Sequence, residues 1–218
     1  MTAVLDLSRY EHVVWDWNGT LLDDVGLAVE VMNGMLGRRG MPLLTTESYR
    51  AVFDFPVRDY YVRLGFDLTT ESWDAVAAEF IGAYRARWRE CGLQDGARAA
   101  LERVASAEVG QSLLSAAHQE MLEAHVAHYG VADRFERSLG VSNWNALGKE
   151  VHGRRWMAEQ AFKPSRVLLV GDTVHDREVA REMGVDCVLV AQGHQPRAKL
   201  ERCGVPVYGS LGEMLAGR

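Results

Sequence analysis

The chain has 218 residues and a mass of 24.3 kDa, which suits one α/β domain or a domain that carries an insert. Apolar residues make up 48% and charged residues 25% of the sequence, so disorder, collagen and a coiled coil are excluded for the chain as a whole. The net charge of −6 disfavours a nucleic-acid-binding protein, because phosphate contacts usually need a basic surface.

The first predicted element is a short buried strand, Val13-Val14-Trp15, which ends abruptly in a polar loop that begins at Asp16. Helical patterns then dominate to about residue 90. Apolar side chains recur at helix spacing between Val25 and Leu36. A second stripe of aromatic and apolar side chains runs from Trp73 to Trp88, with Thr70 as its predicted N-cap. Such a stripe is typical of a helix that packs against a core.

The second half of the chain alternates short apolar strands with helices. The predicted strands are Ser112–Leu114, Arg137–Val141, Arg166–Val170, Cys187–Val190 and Val205–Tyr208. Strands that alternate with helices are typical of βαβ units in a parallel sheet. Because a long helical segment separates the first strand from the others, the sequence predicts a Rossmann-like, doubly wound α/β core with an inserted all-helical cap.

Three cysteines, Cys91, Cys187 and Cys203, are scattered along the chain. An odd number without short spacings disfavours a disulfide framework or a zinc site. No secretory signal is visible at the N-terminus, and apolar runs such as Val167–Val170 are far too short to span a bilayer. The sequence therefore predicts a cytoplasmic protein with no membrane or nucleic-acid partner.

Polar side chains follow the predicted strands where a parallel sheet usually binds its ligands. Asp16 follows the first strand and Ser115 the second, Lys149 opens the helix after the third, and Asp172 and Asp176 follow the fourth. The carboxyl ends of parallel strands meet at one edge of the sheet. Each signal is weak alone, but together they predict an active site at that edge.

With these residues the sequence resembles the haloacid dehalogenase superfamily of phosphatases over essentially the whole chain. The motifs that carry the resemblance are Asp16-x-Asn18-Gly19-Thr20, Leu113-Leu114-Ser115, Lys149 and Gly171-Asp172-x-x-x-Asp176. Gly193-His194-Gln195, which follows a strand, is similar to the tail of phosphoglycolate phosphatases. The resemblance implies a core of residues 1–20 and 94–218, with residues 21–93 as the helical cap.

The resemblance also implies the roles of the acidic residues. Asp16 would attack phosphorus and form an aspartyl phosphate, which splits one difficult displacement into two. Mg²⁺ would bind Asp16, Asp172 and the backbone carbonyl of Asn18, because it prefers one or two carboxylates together with water and substrate phosphate. Asp176 would hold a metal-bound water or orient Lys149.

The phosphate group would bind to a second set of residues. Lys149 supplies a point charge beside the nucleophile. The Ser115 hydroxyl and nearby backbone N–H groups, including that of Ala116, suit the phosphate oxygens at a strand-to-helix turn. The partner implied is a small phosphorylated metabolite, and the residues near a substrate-facing turn of the cap are Phe55, Arg58 and Tyr60.

One position departs from the family's pattern. Phosphatases of this family usually carry aspartate two residues after the nucleophile, where it protonates the leaving alkoxide and later activates water, but this chain has Asn18. An amide can do neither, and such general acid–base help is typically worth about 10²–10⁴ in rate. Either catalysis is slow or confined to good leaving groups, or a neighbour such as Asp23, Asp24 or His118 acts instead.

The leading prediction is a Mg²⁺-dependent phosphatase that hydrolyses a small phosphate monoester, as phosphoglycolate phosphatases do, and that is a monomer or homodimer. Two alternatives remain open. Asn18 favours a protein that binds a phosphate ligand without hydrolysing it. A haloacid dehalogenase would use Asp16 to attack carbon, although the acidic pair Asp172 and Asp176 favours a metal over dehalogenation.

Overall fold

A six-stranded parallel sheet forms the centre of the computed structural model, which describes residues 4–142, 146 and 148–215. The strand order is β5-β4-β1-β6-β7-β8, so β1 lies in the middle and the connections run outward in both directions. The strands are β1 (His12–Trp15), β2 (Leu22–Asp23), β3 (Gly92–Leu93), β4 (Gly110–His118), β5 (Arg137–Val141), β6 (Val167–Gly171), β7 (Asp186–Val190) and β8 (Val207–Tyr208). This confirms the predicted doubly wound α/β fold.

Helices cover both faces of this sheet. They are α1 (Val25–Arg38), α2 (Thr46–Val52), α3 (Val57–Leu64), α4 (Trp73–Arg87), α5 (Ala97–Ser106), α6 (Gln119–His128), α7 (Lys149–Ala158), α8 (Val174–Met183), α9 (Arg197–Leu200) and α10 (Leu211–Leu215). No helix in the described part of the chain is both long and apolar enough to cross a membrane.

The central strands β1 and β6 are mostly apolar because both of their faces are buried. Val13 and Trp15 of β1 pack against α5, α6 and α10, whereas Val14 points to the opposite face and packs with α7 and α8. Every residue of β1 and β6 is buried. Side chains of a strand alternate between faces, so continuous apolar runs are what a sheet covered on two sides requires.

Helices α1 to α4 form the insert between β1 and the rest of the sheet, and they have an apolar cluster of their own that includes Met32, Met35 and Val76. The chain enters and leaves the insert through β2 and β3, which pair antiparallel with Leu22 opposite Leu93 and Asp23 opposite Gly92. The division into residues 1–20, 21–93 and 94–218 stays a prediction.

Two local predictions were wrong. Ser72, not Thr70, is the N-cap of α4, and its hydroxyl accepts a hydrogen bond from Ala75 N at 3.2 Å. The Thr70 hydroxyl instead donates to Asp67 O in the preceding turn. Strand β4 also continues past Ser115 to His118, although its regular pairing with β5 is disturbed between Leu114 and His118.

Candidate active site

The end of β1 places Asp16 at the carboxyl edge of the sheet. Asp16 N donates to Val170 O at 2.9 Å, so the pairing with β6 extends one residue beyond the strand. The chain then turns back sharply, and Leu21 and Leu22 both donate their N–H groups to Trp17 O. Gly19 has a φ of +77°, and a Cβ there would overlap the Asp172 carboxylate. A glycine is therefore needed for both the turn and the close approach.

This turn brings the Thr20 hydroxyl between two carboxylates. Thr20 Oγ1 lies 3.1 Å from Asp16 Oδ2 and 2.9 Å from Asp172 Oδ1. The other oxygen of Asp172 accepts a hydrogen bond from His194 N at 2.6 Å. Asp172 follows β6, and it is completely buried. Both carboxylate oxygens of Asp172 are therefore held by hydrogen bonds, one from the turn after β1 and one from the segment after β7.

Lys149, the first residue of α7, joins the remaining acidic groups. Its Nζ lies 2.5 Å from Asp16 Oδ1 and 2.5 Å from Asp176 Oδ1. Asp176 Oδ2 accepts from Thr173 Oγ1 at 2.7 Å and from Thr173 N at 3.0 Å, as part of the capping box of α8. Asp176 therefore anchors both the helix N-terminus and the lysine, and the lysine is held beside Asp16.

Burial and mutual repulsion shape the titration of this cluster. Burial raises the pKa of Asp16 to about 6, although Lys149 pulls it down. Burial raises the pKa of Asp172 to about 8, with the nearby carboxylates adding to the shift and His194 opposing it. Burial also acts to raise the pKa of Asp176, but Lys149 outweighs it and holds that pKa below its usual value. One lysine does not neutralise three buried carboxylates.

This arrangement fits a divalent cation. Asp16, Asp172 and Asp176 each offer an oxygen, and these oxygens lie within 4.8 Å of one another. Carboxylate oxygens are the hard ligands that Mg²⁺ prefers. Adding a cation would also relieve the repulsion that raises the pKa values of Asp16 and Asp172.

The side chain of Asn18 belongs to a neighbouring polar network. Its Nδ2 donates to Asp24 Oδ2 at 2.7 Å and to the Tyr84 hydroxyl oxygen at 3.0 Å. Tyr84 donates its own proton to Asp24 Oδ2 at 2.7 Å. His194 Nε2 lies 3.2 Å from Asp24 Oδ1, and the Asp24 charge raises the pKa of His194 to about 9 against the opposing effect of burial. Asp24 and His194 therefore form a buried ion pair.

The other sequence candidates occupy different places. Ser115 is buried, and its hydroxyl accepts a hydrogen bond from Ala117 N at 3.1 Å. Ala116 lines a cavity together with Asn18, and His118 lines the same cavity. Asp23 is exposed, whereas Asp24 is buried and in contact with Asn18.

That cavity lies between the helical insert and the carboxyl edge of the sheet, and its volume is about 180 Å³. Phe55 and Tyr60 line it, in agreement with the predicted substrate-facing turn, but Arg58 is exposed and is not among the described lining residues. The apolar stripe of α4 also contributes to the wall, through Trp73 and Phe80. Both side chains also pack against apolar clusters of the insert, as the stripe predicts, so they belong to the core and to the cavity wall.

Sequence reasoning gave no role to Thr20, Tyr84 or His194. Thr20 was visible as part of the first motif, and its spacing of four residues from Asp16 across a glycine turn is a usable signal. His194 follows β7, next to β6 in the sheet, so the same strand-end argument applies to it. Tyr84 gave no such signal, because its position on a helical stripe does not show that its hydroxyl meets Asn18 and Asp24.

The strand order and the acidic cluster define a doubly wound α/β protein with a polar site at the carboxyl ends of its strands, and comparison with known proteins identifies its family. A family model described as haloacid dehalogenase-like hydrolase matches residues 13–190. The chain belongs to this family. The predicted resemblance and the predicted class of enzyme, a hydrolase, are thereby confirmed.

Individual relatives are distant. The chain is 26% identical over 184 residues to the tyrosine-protein kinase PtkA of Mycobacterium tuberculosis, covering 84% of this chain and 62% of that protein's length. It is 23% identical over 194 residues to the phosphoglycolate phosphatase of Synechococcus elongatus, covering 87% and 88% of the two chains. A solved haloacid dehalogenase-like hydrolase from Streptococcus pneumoniae superposes with a TM-score of 0.81 at 18% identity, covering 96% and 98%.

Proposed function

We propose that the protein is a Mg²⁺-dependent phosphatase that hydrolyses a small phosphate monoester through an aspartyl phosphate on Asp16. One observation carries this proposal: Asp16 lies at the carboxyl edge of the sheet with Lys149 at 2.5 Å and the Asp172 and Asp176 carboxylates beside it. The family supports it. The likeness to a phosphoglycolate phosphatase adds weight to a phosphate ester as substrate.

Each residue of the cluster has a part in this reaction. An oxygen of Asp16 attacks phosphorus, and the Lys149 charge offsets the repulsion between that carboxylate and the phosphate. Bound Mg²⁺ would neutralise further negative charge between Asp16 and the phosphate oxygens. Asp176 holds Lys149 in place, and Thr20 and His194 N fix the orientation of Asp172. Phosphate oxygens would bind to Ser115 and the Ala116 backbone N–H.

The nucleophile is tested by Asp16→Asn. The amide cannot form an acyl phosphate, so we expect turnover of p-nitrophenyl phosphate with Mg²⁺ to fall by about three orders of magnitude or more. Asp23→Asn, on the exposed neighbour of Asp24, is the matched control and should turn over normally. Wild-type rates in Asp16→Asn, with deamidation excluded by mass spectrometry, would overturn the assignment.

The metal site is tested by calorimetry with Mg²⁺ alone. Asp172→Ala removes one of three clustered carboxylates, so we expect Mg²⁺ affinity to drop by a factor of about ten or more. The wild-type protein should also lose p-nitrophenyl phosphate turnover in EDTA and regain it with Mg²⁺. Unchanged affinity in Asp172→Ala would contradict a metal at this cluster.

Two other functions have an observation in their favour. The Asn18 amide favours a protein that binds a phosphate ligand without hydrolysing it, and such a protein would bind phosphate with Mg²⁺ but form no acyl phosphate. The apolar cavity beside Asn18 would also admit a haloacid. Release of chloride from haloacids, with no turnover of phosphate esters, would identify a dehalogenase.

The proposal extends to the cellular setting. We place the protein in the cytoplasm, acting on a small phosphorylated metabolite as a monomer or homodimer. The supporting observation is that Cys91, Cys187 and Cys203 are all free thiols.

A further inference from the structure

The cavity between the insert and the sheet has walls made almost entirely of carbon. Its wall includes Asn18, two residues after the proposed nucleophile, and Ala116 of the proposed phosphate site. The rest is dominated by aromatic rings from α2, α3, α4 and the segment between α2 and α3, among them Phe53, Phe55 and Trp73. A phosphate at the acidic cluster would therefore direct its leaving group into an aromatic chamber.

The charges around this chamber do not suit an anionic leaving group. None of the described lining residues is lysine or arginine. The charged groups in the described wall are Asp24 and His194, which pair with each other at 3.2 Å. A carboxylate or a second phosphate on the substrate would find no free cation there and would meet the Asp24 charge. Burying such an unpaired charge is strongly unfavourable.

The volume sets the size of the leaving group. The cavity measures about 180 Å³. An engineered cavity of about 150 Å³ in another protein, lined by apolar side chains, stays dry and binds benzene. The chamber described here therefore has room for one six-membered ring and a small substituent.

The position of Asn18 favours the same class of substrate on chemical grounds. Its amide cannot protonate a leaving oxygen, and an alkoxide leaves poorly without a proton. A phenolic oxygen is far less basic, with a pKa of about 10 for a tyrosine-like phenol, so it can leave as the anion. The aromatic chamber favours a substrate with a ring, and Asn18 favours a leaving oxygen bonded to a ring. An aryl phosphate has both properties.

We propose that the substrate is an aryl phosphate whose leaving group is an uncharged aromatic alcohol of about one ring; this rests on the proposed function. An oxygen of Asp16 bonds to phosphorus while the bond from phosphorus to the aryl oxygen breaks, and that electron pair leaves on the oxygen. Water then attacks phosphorus, and the bond to Asp16 breaks with its electron pair returning to the carboxylate. Over the cycle one water supplies the hydroxyl of the released phosphate and the proton of the phenol.

Four substrates separate the effect of the ring from that of the leaving group. Phenyl phosphate has both a ring and a good leaving group, benzyl phosphate has only the ring, acetyl phosphate has only the good leaving group, and ethyl phosphate has neither. Burial of a phenyl ring predicts that the two ring compounds have KM values about ten- to a hundredfold lower than their counterparts. Phosphoglycolate, an anionic alkyl ester, should be a poor substrate.

Filling the chamber tests its role directly. Ile81 lines the cavity and is half-buried, so Ile81→Trp should fill it and lower the ratio of kcat/KM for phenyl to acetyl phosphate about tenfold or more. Ala77→Leu is a second filling variant on the same helix, in case the first does not fold. Val62→Trp, on an exposed position of α3, is the matched control and should keep the wild-type ratio. Calorimetry with phenylphosphonate and methylphosphonate measures the same preference without turnover.

The outcomes separate this inference from the proposed function. Turnover of acetyl phosphate with no preference for rings, or a ratio that both filling variants leave unchanged, overturns the aryl substrate and leaves the phosphatase standing. A preference for phosphoglycolate over phenyl phosphate has the same consequence. Absence of turnover and of acyl phosphate with all five compounds overturns the proposed function itself.

Discussion

At the scale of single residues, Asp24 limits what any side chain at position 18 can do. Asn18 is a hydrogen-bond donor to Asp24 Oδ2 at 2.7 Å, and Asp24 is completely buried beside His194. Two carboxylates at that distance cannot both be ionised. The asparagine is therefore matched to its neighbour, and simple restoration of an aspartate would place two like charges together.

A paired exchange tests this. Asn18→Asp alone should raise the turnover of ethyl or benzyl phosphate by only about tenfold or less, because the new carboxylate is opposed by Asp24. Combining it with Asp24→Asn keeps one carboxylate and one amide in the network, with their positions exchanged. The double variant should gain about 10²–10⁴ with alkyl phosphates and little with phenyl phosphate. The measurement is kcat for the four substrates in both variants and wild type.

Equal rates in the double variant and wild type would mean that another group already transfers the proton. His118, which lines the cavity, would then be the position to change next. Asp23→Asn serves here too as the control, since its exposed side chain is outside the described cavity wall.

At the scale of strands and helices, the parts that could be predicted from sequence are those governed by local pattern. The apolar runs in β1 and β6 predicted two buried strands, and the polar residues after them predicted a ligand site at the carboxyl edge of the sheet. Asp16, Asp172 and Asp176 do meet there, joined by Lys149 at the start of α7.

The features of the site that could not be predicted from the sequence depend on packing between distant segments of the chain. Helix periodicity shows which side chains of α4 share a face, but not that part of this face also borders a cavity. The pairing of Asp24 with His194 joins positions 170 residues apart, and no local spacing reports it. Thr70 is not the N-cap because its hydroxyl donates to Asp67 O in the preceding turn. Ser72 caps the helix instead.

Strand β1 carries a histidine whose burial should make the fold sensitive to acid. Burial lowers the pKa of His12 to about 4, and its Nε2 lies 3.0 Å from the Ser112 hydroxyl. In the unfolded chain the histidine binds its proton near pH 6.5. The neutral, buried His12 therefore contributes fully to the free energy of unfolding above that pH, and this contribution is lost as the pH falls toward 4. The free energy of unfolding should fall by about 3 kcal/mol over that pH range because of His12.

Urea unfolding of His12→Gln at pH 7 and at pH 4.5 tests this. The variant should lose less free energy of unfolding between the two values than wild type does. The free energy of unfolding of the variant should still decrease somewhat with falling pH, since burial also lowers the pKa of His125 to about 4. His128→Gln, on an exposed position of α6, should behave as wild type. If His12→Gln and wild type lose the same free energy of unfolding between the two pH values, the pKa of His12 does not differ between the folded and unfolded states.

At the scale of the whole molecule, the insert is held closed against the sheet by the segment that follows β7. Gln195 Nε2 and Lys199 Nζ both donate to Phe53 O at 3.0 Å, just after α2. Lys199 also forms an ion pair with Asp54 at 2.9 Å. Because the same segment supplies His194 to the acidic site, closure of the insert and assembly of the site are mechanically connected.

The junctions of the insert are where its movement would be absorbed. Only two residue pairs join β2 to β3, so the ladder between them is short. Gln94 connects this junction to the loop after β1, with its N donating to Leu21 O at 2.8 Å and its Nε2 to Gly19 O at 3.1 Å. A ligand that orders the loop around Asp16 should therefore also slow opening of the junction.

Hydrogen exchange measures this opening directly. Phenylphosphonate with Mg²⁺ should slow exchange in residues 21–25 and 94–96, because opening exposes backbone N–H groups that closure protects. Lys199→Met removes the hydrogen bond to Phe53 O and the ion pair to Asp54, so exchange in the same residues should be faster than wild type without ligand and should slow when ligand binds. Arg202→Met, three residues further and exposed, is the control and should exchange as wild type does. If ligand changes neither junction, and Lys199→Met matches Arg202→Met throughout, the insert does not move against the sheet during the reaction and substrate must reach the chamber through the existing opening.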